Sequence, residues 1–324
     1  MRFSLPAALL AATTMLLAGA PSALADSSIS SNWSGYAVHR SGVRFRQVKA
    51  AWKQPTASCA AGSPSYSAQW VGLGGYSPSS NALEQIGTEI DCSSTGRALS
   101  SAWYELVPAP SETINLRVRP GDTMAASVTV VGHKVTVSLE DATTHRSFTK
   151  SLRAGAIDVS SAEWIVEAPS DCISINSCQT LPLADFGRAS FGLASARTTT
   201  GRSGTIVSSH WGRTAITLSP GGPRFIVYQG AGPSSGAATP SGLLLGGSAF
   251  NVSYQQVSVQ QGNRFAPRAT ATAAGYLVIA PSVSPVAAQS STQPLHVICD
   301  LEPVTQPLTG TLVGLRDRPI PDSR

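Results

Sequence analysis

The chain has 324 residues, and 13% of them are charged, with 23 Lys and Arg against 18 Asp and Glu. The basic residues are scattered along the sequence rather than clustered, which argues against nucleic acid as a partner. The five histidines are dispersed without the spacing of metal ligands, and the sequence contains no glycine-rich phosphate loop. We therefore expect neither a metal ion nor a cofactor.

Residues 1–25 have the features of a secretory signal peptide. Arg2 gives a basic start, residues 5–17 are mostly apolar, and the letters ALA at 23–25 fit a cleavage site between small residues. Removing this segment leaves roughly 299 residues, enough for one large β domain. No later segment approaches the length needed to span a bilayer. The sequence therefore predicts a secreted, extracellular protein without a membrane span, and we expect it to be a monomer.

Short strand-like segments dominate the rest of the sequence. Residues 127–131 and 134–139 flank Gly132 and His133, a pattern typical of a β-hairpin. Further strand-like runs, separated by Gly, Pro and Ser turns, lie at residues 114–118, 215–218, 224–228 and 249–254. No amphipathic helical stretch of useful length follows the signal peptide. The pattern predicts an all-β fold, an antiparallel β-sandwich of two large sheets of the jelly-roll or concanavalin-like kind.

The composition changes beyond about residue 257. Residues 265–309 are rich in Ala, Pro, Ser and Thr, with only a few apolar islands. Such a composition is typical of a loosely ordered segment rather than of a second catalytic domain. We predict a sandwich domain over residues 26–256, followed by a C-terminal extension of unknown role over residues 257–324.

Five cysteines remain after removal of the signal peptide, and export makes disulfides the expected state. Cys172 and Cys178 flank a short polar loop, which predicts a local bridge. Cys59 and Cys92 flank the region around residue 85, and we predict that they form the second pair. This assignment leaves Cys299 without a partner in its own chain.

The common hydrolase signatures are absent, and a set of short, unusual strings takes their place. The sequence has no Gly-x-Ser-x-Gly elbow, no His-Glu-x-x-His and no Asp-Thr-Gly or Asp-Ser-Gly. A Ser/His/Asp triad has no local support, although its members could be distant in sequence. The strings are SNWSGY at 31–36, QWVGLGG at 69–75, LEQIGTE at 83–89, AWYELVP at 102–108 and SAEWIVE at 161–167.

In this order and spacing the strings resemble those of the glutamic peptidases, the eqolisin family of acid endopeptidases. The resemblance covers about residues 30–256. It implies a β-sandwich with the substrate lying across a concave sheet face. It also implies that Gln85 is the catalytic glutamine and that Glu167, the second glutamate of its string, is the catalytic glutamate. Trp70 then matches a tryptophan near the site, and Glu105 matches a supporting acidic residue.

The chemistry of these residue types agrees with that implication. In a strand, Glu163 and Glu167 share one face while Trp164 points to the other, so Glu167 can face a cleft. A carboxylate there can deprotonate a water that attacks the scissile carbonyl and then return the proton to the leaving amine. The carboxamide of Gln85 can stabilise the oxyanion, an effect worth on the order of 3–4 kcal/mol. The predicted function is a secreted acid endopeptidase that acts on polypeptides.

Some features depart from the resemblance, and two other functions remain open. Fungal members carry an acidic residue where this chain has Gly74, so we expect a changed proton network around Glu167. A glycoside hydrolase would need paired carboxylates, and Glu163 and Glu167 lie about 13 Å apart along a strand, too far for such a pair. A pair formed by Glu105 and Glu167 remains possible. The third alternative is a lectin-like module that binds ligand through its aromatic residues.

Overall fold

The computed structural model describes residues 26–174, 177–220, 236–257 and 295–296. For residues 172–174, 177, 295 and 296 only the backbone is described. The predicted signal peptide, the predicted strand at 224–228, Cys299 and most of the predicted extension lie outside the described residues.

The described chain folds almost entirely into strands. Its one helical element is a 3-10 turn, Leu245–Gly247. The strands, in chain order, are β1 (Asp26–Ser30), β2 (Trp33–His39), β3 (Phe45–Lys53), β4 (Ser65–Gly74), β5 (Leu83–Cys92), β6 (Ala98–Val107), β7 (Glu112–Thr113), β8 (Thr123–Val131), β9 (Lys134–Asp141), β10 (Arg146–Arg153), β11 (Ser161–Glu167), β12 (Ser170–Ser174), β13 (Ser177–Thr180), β14 (Arg188–Thr198), β15 (Ser203–Gly204), β16 (Gly212–Leu218), β17 (Gly236–Pro240), β18 (Phe250–Gln256) and β19 (Leu295–His296).

The strands form two large layers. The first layer, here called the front sheet, has the order β1-β16-β2-β11-β4-β5-β6-β7. The second has the order β10-β9-β8-β3-β14-β18, and β17 pairs with both β16 and β18, so the two layers are joined along one edge. All these pairings are antiparallel except that of β1 with β16. The predicted antiparallel β-sandwich is therefore confirmed.

The main hydrophobic core lies between the two layers. Successive side chains of a strand point to opposite faces of the sheet, and those of Val71, Ile86 and Trp164 in the front sheet point inward. There they pack in one cluster with residues of the second sheet such as Val128 and Val137. Trp164 is fully buried, and its indole N–H donates a hydrogen bond of 2.9 Å to the carbonyl oxygen of Lys49. The inward position of Trp164 leaves its neighbours in β11 directed to the opposite face of the sheet.

A second hydrophobic cluster covers that opposite face, the outer face of the front sheet. Its members are Trp33, Ala37, Ala68, Trp70, Leu83, Trp103, Val107, Ile165, Cys178 and Ile216. An outer sheet face of an antiparallel sandwich is commonly polar and solvated. Here it carries three buried tryptophans, so this face is specialised.

The segment 114–118 corrects one sequence prediction. It is not a strand, although Ile114, Leu116 and Val118 are buried and the two residues between them are exposed. Only its first residue bonds to a neighbouring strand, with the Ile114 N–H donating to the Ala102 carbonyl of β6, and the Leu116 N–H then donates locally to the Ile114 carbonyl. The predicted hairpin is confirmed as β8 and β9, and the strand predicted at 215–218 is the end of β16.

The cysteine predictions have different outcomes. Cys59 and Cys92 form the predicted disulfide, which ties the segment before β4 to the end of β5. Cys178 is also disulfide-bonded, and Cys172 is its register partner across the β12–β13 pair. The side chain of Cys172 lies outside the described part, so the second pairing stays a prediction. β12 pairs in addition with β19, a short strand inside the predicted extension.

Candidate active site

Glu167 ends β11 on the outer face of the front sheet, and two side chains hold its carboxylate. Its register partners are Trp33 on β2 and Ala68 on β4. The indole N–H of Trp70 donates to Oε2 at 2.8 Å, and the amide of Asn32 donates to Oε1 at 3.1 Å. Two N–H donors stabilise the ionised form of a carboxylate and fix its orientation.

Gln85 lies on the same face, in β5. Its register partners are Gly72 on β4 and Glu105 on β6. The carboxamide N–H donates to Oε2 of Glu105 at 2.6 Å, and Oε1 of Gln85 has no hydrogen-bond partner among the described residues. Gln85 and Glu105 are each 1% exposed, so both are removed from water.

The surroundings of Glu105 favour the protonated form of its carboxyl group. Burial raises its pKa well above the usual value, and the negative charge of Glu167 raises it further, against a smaller lowering effect of the Gln85 hydrogen bond. The site therefore combines Glu167, whose carboxylate accepts two N–H hydrogen bonds, with Glu105, whose surroundings favour the neutral acid.

Trp70 spans the space between Glu167 and Gln85. It lies on β4, on the same face as Ala68 two residues before it and Gly72 two residues after it. Its indole N–H donates to the carboxylate of Glu167. A Cβ on Gly72 would lie 2.8 Å from Cζ3 of the indole, closer than real Cβ contacts. A glycine at position 72 therefore leaves room for the indole to lie over the strand beside Gln85. Trp33 packs on Trp70 edge-to-face, with ring centroids 5.0 Å apart.

Glu163 shares the face but has a different environment. It lies in the register row of Gln85, separated from it by Gly72, and it is fully buried. Neither carboxyl oxygen makes a well-formed hydrogen bond within the described part of the chain. Burial raises its pKa well above the usual value, the Ser161 hydroxyl opposes this, and the charges of Asp158 and Glu84 add to it. Glu163 therefore lacks the paired donors that hold Glu167.

The backbone at Gly74 explains why this position carries no acidic side chain. Its φ is +85°, and a Cβ would lie 2.6 Å from the carbonyl oxygen of Asp158 and 2.7 Å from its Cβ. Asp158 fills this space, and its carboxylate accepts hydrogen bonds from the Gly75 N–H and the Ser80 hydroxyl. Burial acts to raise the pKa of Asp158, but bonds from Ser80, Ser160 and Gly75 outweigh it and lower the pKa.

Asn32 is a site residue that the sequence did not single out. It lies in the string at 31–36, but its contact with Glu167 joins residues 135 positions apart. No local pattern reveals such a pairing, and the only signal was a polar residue at the start of a buried strand.

Among the described residues, no group of three or more His, Cys, Asp or Glu side chains is placed to hold a metal ion. No helix in the described part is long and apolar enough to cross a membrane.

Comparison with known families decides the classification. The profile of the peptidase A4 family matches residues 31–219, more than half of the chain. The chain belongs to the peptidase A4 family. This match covers Asn32, Trp70, Gln85, Glu105 and Glu167, and it agrees with the resemblance that the sequence strings carry. No curated protein sequence matches the chain.

Solved structures support the same fold for this A4 peptidase. Scytalido-glutamic peptidase, bound to a peptide-based transition-state analogue, is 23% identical with a TM-score of 0.54 and covers 69% of this chain and 98% of its own. SCP-B, an eqolisin solved with the tripeptide Ala-Ile-His, is 22% identical with a TM-score of 0.52 and the same coverage. The predicted family is thus confirmed. The family decides in favour of a peptidase over the two carbohydrate-directed alternatives.

Proposed function

We propose that this A4 peptidase is a secreted acid endopeptidase that uses Glu167 as general base and Gln85 as oxyanion stabiliser. The observation that carries the proposal is the contrast between two carboxyl groups on one sheet face. Glu167 accepts hydrogen bonds from the N–H groups of Trp70 and Asn32, whereas burial raises the pKa of Glu105, which accepts a hydrogen bond from Gln85. Secretion is supported by the Cys59–Cys92 disulfide, which is typical of exported proteins.

The reaction would proceed with water as the nucleophile. Glu167 takes a proton from water as the water oxygen attacks the scissile carbonyl carbon. The carbonyl oxygen becomes an oxyanion, which accepts a hydrogen bond from the Gln85 amide. Glu167 then gives the proton to the leaving nitrogen as the C–N bond breaks, and the carboxylate is restored. No covalent intermediate is required.

Glu105 would position Gln85 in this scheme. The Gln85 amide has two N–H bonds, and the bond to Glu105 engages one of them. The second N–H remains for the oxyanion. Because one end of a carboxamide accepts hydrogen bonds and the other donates them, a partner that fixes its orientation reduces the reorganisation needed in the transition state. Acid solution is compatible with this arrangement, because Glu105 must stay protonated and Glu167 is stabilised as an anion by its two donors.

The test is hydrolysis of a denatured protein between pH 2 and 7, with pepstatin present to remove any aspartic-peptidase contribution. We expect acid activity in the wild type, a loss of about two to four orders of magnitude in Glu167→Gln, and a loss of about 10²–10³ in Gln85→Ala. Glu140→Gln, which changes an exposed glutamate of β9, serves as the matched control and should keep full activity. Unchanged activity in Glu167→Gln would overturn the assignment.

A further inference from the structure

The outer face of the front sheet is closed in the described structure, although a peptide must reach it. Glu167 is 5% exposed, Gln85 is 1% exposed, and Glu163 and Ala37 are fully buried. Part of this cover comes from the loop between β4 and β5, residues 75–82, here called the strap. The strap leaves β4 at Gly74 and enters β5 two residues before Gln85.

The strap is fastened across the face by Tyr76. The ring of Tyr76 stacks on His39 of β2, with centroids 4.5 Å apart and planes at 22°. Its hydroxyl donates to Oγ1 of Thr214 on β16 at 3.1 Å, and Nε2 of His39 lies 3.0 Å from the same oxygen. Since β11 and β2 lie between β4 and β16, Tyr76 reaches over two strands. It also packs against the hydrophobic cluster of this face.

The fastening point lies on the same sheet face as the candidate site, beyond the row that contains Gln85. His39 and Ser161 are register partners, and they lie two residues along their strands from the pair formed by Ala37 and Glu163, on the same face. Glu163 is in register with Gly72 on β4, which is in register with Gln85 on β5. These two rows are about 7 Å apart along the strands, and Gln85 lies two strands to the side of Glu163. Glu167 lies farther away, six residues from Ser161 on β11, which is about 20 Å along the strand. The root of the strap is fixed separately, because the Gly75 N–H bonds to Ser80 and Asp158. The contacts of Tyr76 can therefore break without unfolding the root.

We propose that the strap is a gate over the outer face, latched by Tyr76 on His39 and Thr214, which peptide substrates must displace to reach Glu167 and Gln85. The proposal rests on the proposed function, since it takes a peptide as the substrate. Tyr76 is a positioning residue in it, because it acts on access and touches no reacting atom. A closed majority state raises the apparent KM by the reciprocal of the open fraction.

The first experiment measures hydrogen exchange of the strap amides. Tyr76→Ala removes the ring and the hydroxyl, Tyr76→Phe keeps the ring and removes the hydroxyl that bonds to Thr214, and Ser79→Ala alters an exposed strap residue outside the latch. We expect exchange in residues 75–82 to accelerate at least tenfold in Tyr76→Ala, by a smaller factor in Tyr76→Phe, and not at all in Ser79→Ala. Equal exchange in all four proteins would show that Tyr76 does not hold the strap.

The second experiment measures kcat and KM separately on a long peptide. We expect Tyr76→Ala to lower KM several-fold while kcat stays within twofold, with Tyr76→Phe between it and the wild type. An unchanged KM, or a raised one, would overturn the gate, even if exchange is faster. The variant Tyr76→Phe keeps the test valid should Tyr76→Ala fail to fold.

The two proposals fail in different ways. If Glu167→Gln abolishes hydrolysis while the Tyr76 variants behave as wild type, the gate is wrong and the endopeptidase function stands. If folded wild-type protein hydrolyses no peptide, the function is wrong and the gate for peptides falls with it. Faster strap exchange in Tyr76→Ala would then report only a structural latch.

Discussion

Glu105, Glu163 and Glu167 lie on one sheet face, and the neighbours of their carboxyl groups differ. Glu167 meets two N–H donors, Glu105 meets a carboxamide and a nearby negative charge, and Glu163 meets neither arrangement. Burial disfavours the charged form in each case, so hydrogen bonding decides which group can remain an anion. Side chains on different strands therefore determine the roles, and residue type alone does not.

Substitution of Glu105 separates positioning from charge. Glu105→Gln keeps an uncharged partner for the Gln85 amide, so we expect kcat within a few-fold of the wild type and an unshifted pH profile. Glu105→Ala frees the Gln85 side chain, so we expect kcat to fall about tenfold or more while KM changes little. The measurement is the pH dependence of kcat and KM for both variants. A loss in Glu105→Gln as large as in Glu105→Ala would mean that Glu105 acts as an acid.

The resemblance of unusual local strings to those of the glutamic peptidases led to the prediction of Gln85, Glu167, Trp70 and Glu105 as site residues. It did not identify Asn32 or Tyr76, whose contacts with Glu167 and Thr214 connect residues 135 and 138 positions apart. A short sequence motif shows which of its residues share one face of their own strand. Which strand becomes its neighbour depends on the packing of the whole sheet.

At the scale of elements, β4 lies between β11 and β5, the strands that carry the two candidate catalytic residues. Trp70 lies on it between Glu167 and Gln85, and Gly72 leaves the space that the indole fills. Strands with glycine interiors are weakened by the missing side chain. The weakening is offset here because a large aromatic ring covers the glycine.

Gly72→Ala tests that arrangement. The new Cβ would lie 2.8 Å from the indole, so the ring must move and its bond to Glu167 is strained. We expect a loss of about 1–3 kcal/mol in the free energy of unfolding, measured by urea denaturation, and a fall in kcat of about tenfold or more. Gly155→Ala is the control, because a Cβ there meets nothing within 4 Å. Full activity in Gly72→Ala would argue against a fixed position of Trp70.

Segment 114–118 shows what periodicity can and cannot predict. Its alternation correctly separates buried Ile114, Leu116 and Val118 from the exposed residues between them. The same alternation arises in any extended chain laid over a hydrophobic core, with or without a neighbour to bond to. Prediction of a strand also needs a partner, and a local pattern does not contain one.

At the scale of the molecule, buried carboxyl groups favour the fold in acid. Burial raises the pKa of Glu84 to about 9, and the pKa of Glu163 is raised well above its usual value. Both groups are protonated in the folded state over a range where they are ionised in the unfolded chain. The stabilising contribution of Glu84 is complete below about pH 4.5 and is lost progressively as the pH rises towards 9. The contribution of Glu163 has the same sign and is likewise lost as the pH rises.

We therefore expect the urea midpoint to fall between pH 5 and 9. Glu84→Gln places a permanently neutral group at the site, so the fall should be smaller in this variant, with an m-value close to that of the wild type. Glu140→Gln, at an exposed position, should follow the wild-type curve. Parallel curves for Glu84→Gln and wild type would contradict a protonated Glu84 in the fold.

The sandwich itself could be predicted from short alternating runs and turn signals, because these are local. The order of strands in the front sheet could not, since β2, β11 and β16 come from distant parts of the chain and lie side by side. That order brings Trp33 opposite Glu167 and Thr214 beside Ala37. Long-range pairing thus builds both the candidate site and its cover.

The contact between Trp70 and Glu167 also gives the site an optical reporter. The emission of an indole depends on the charge close to its N–H, and here the N–H bonds directly to the carboxylate whose protonation matters. Titration of tryptophan fluorescence, with Trp70→Phe subtracted to remove the other five indoles, would follow Glu167 in the resting enzyme. The ionisation of the proposed base could then be read without any substrate, and compared with the acid limb of the activity profile.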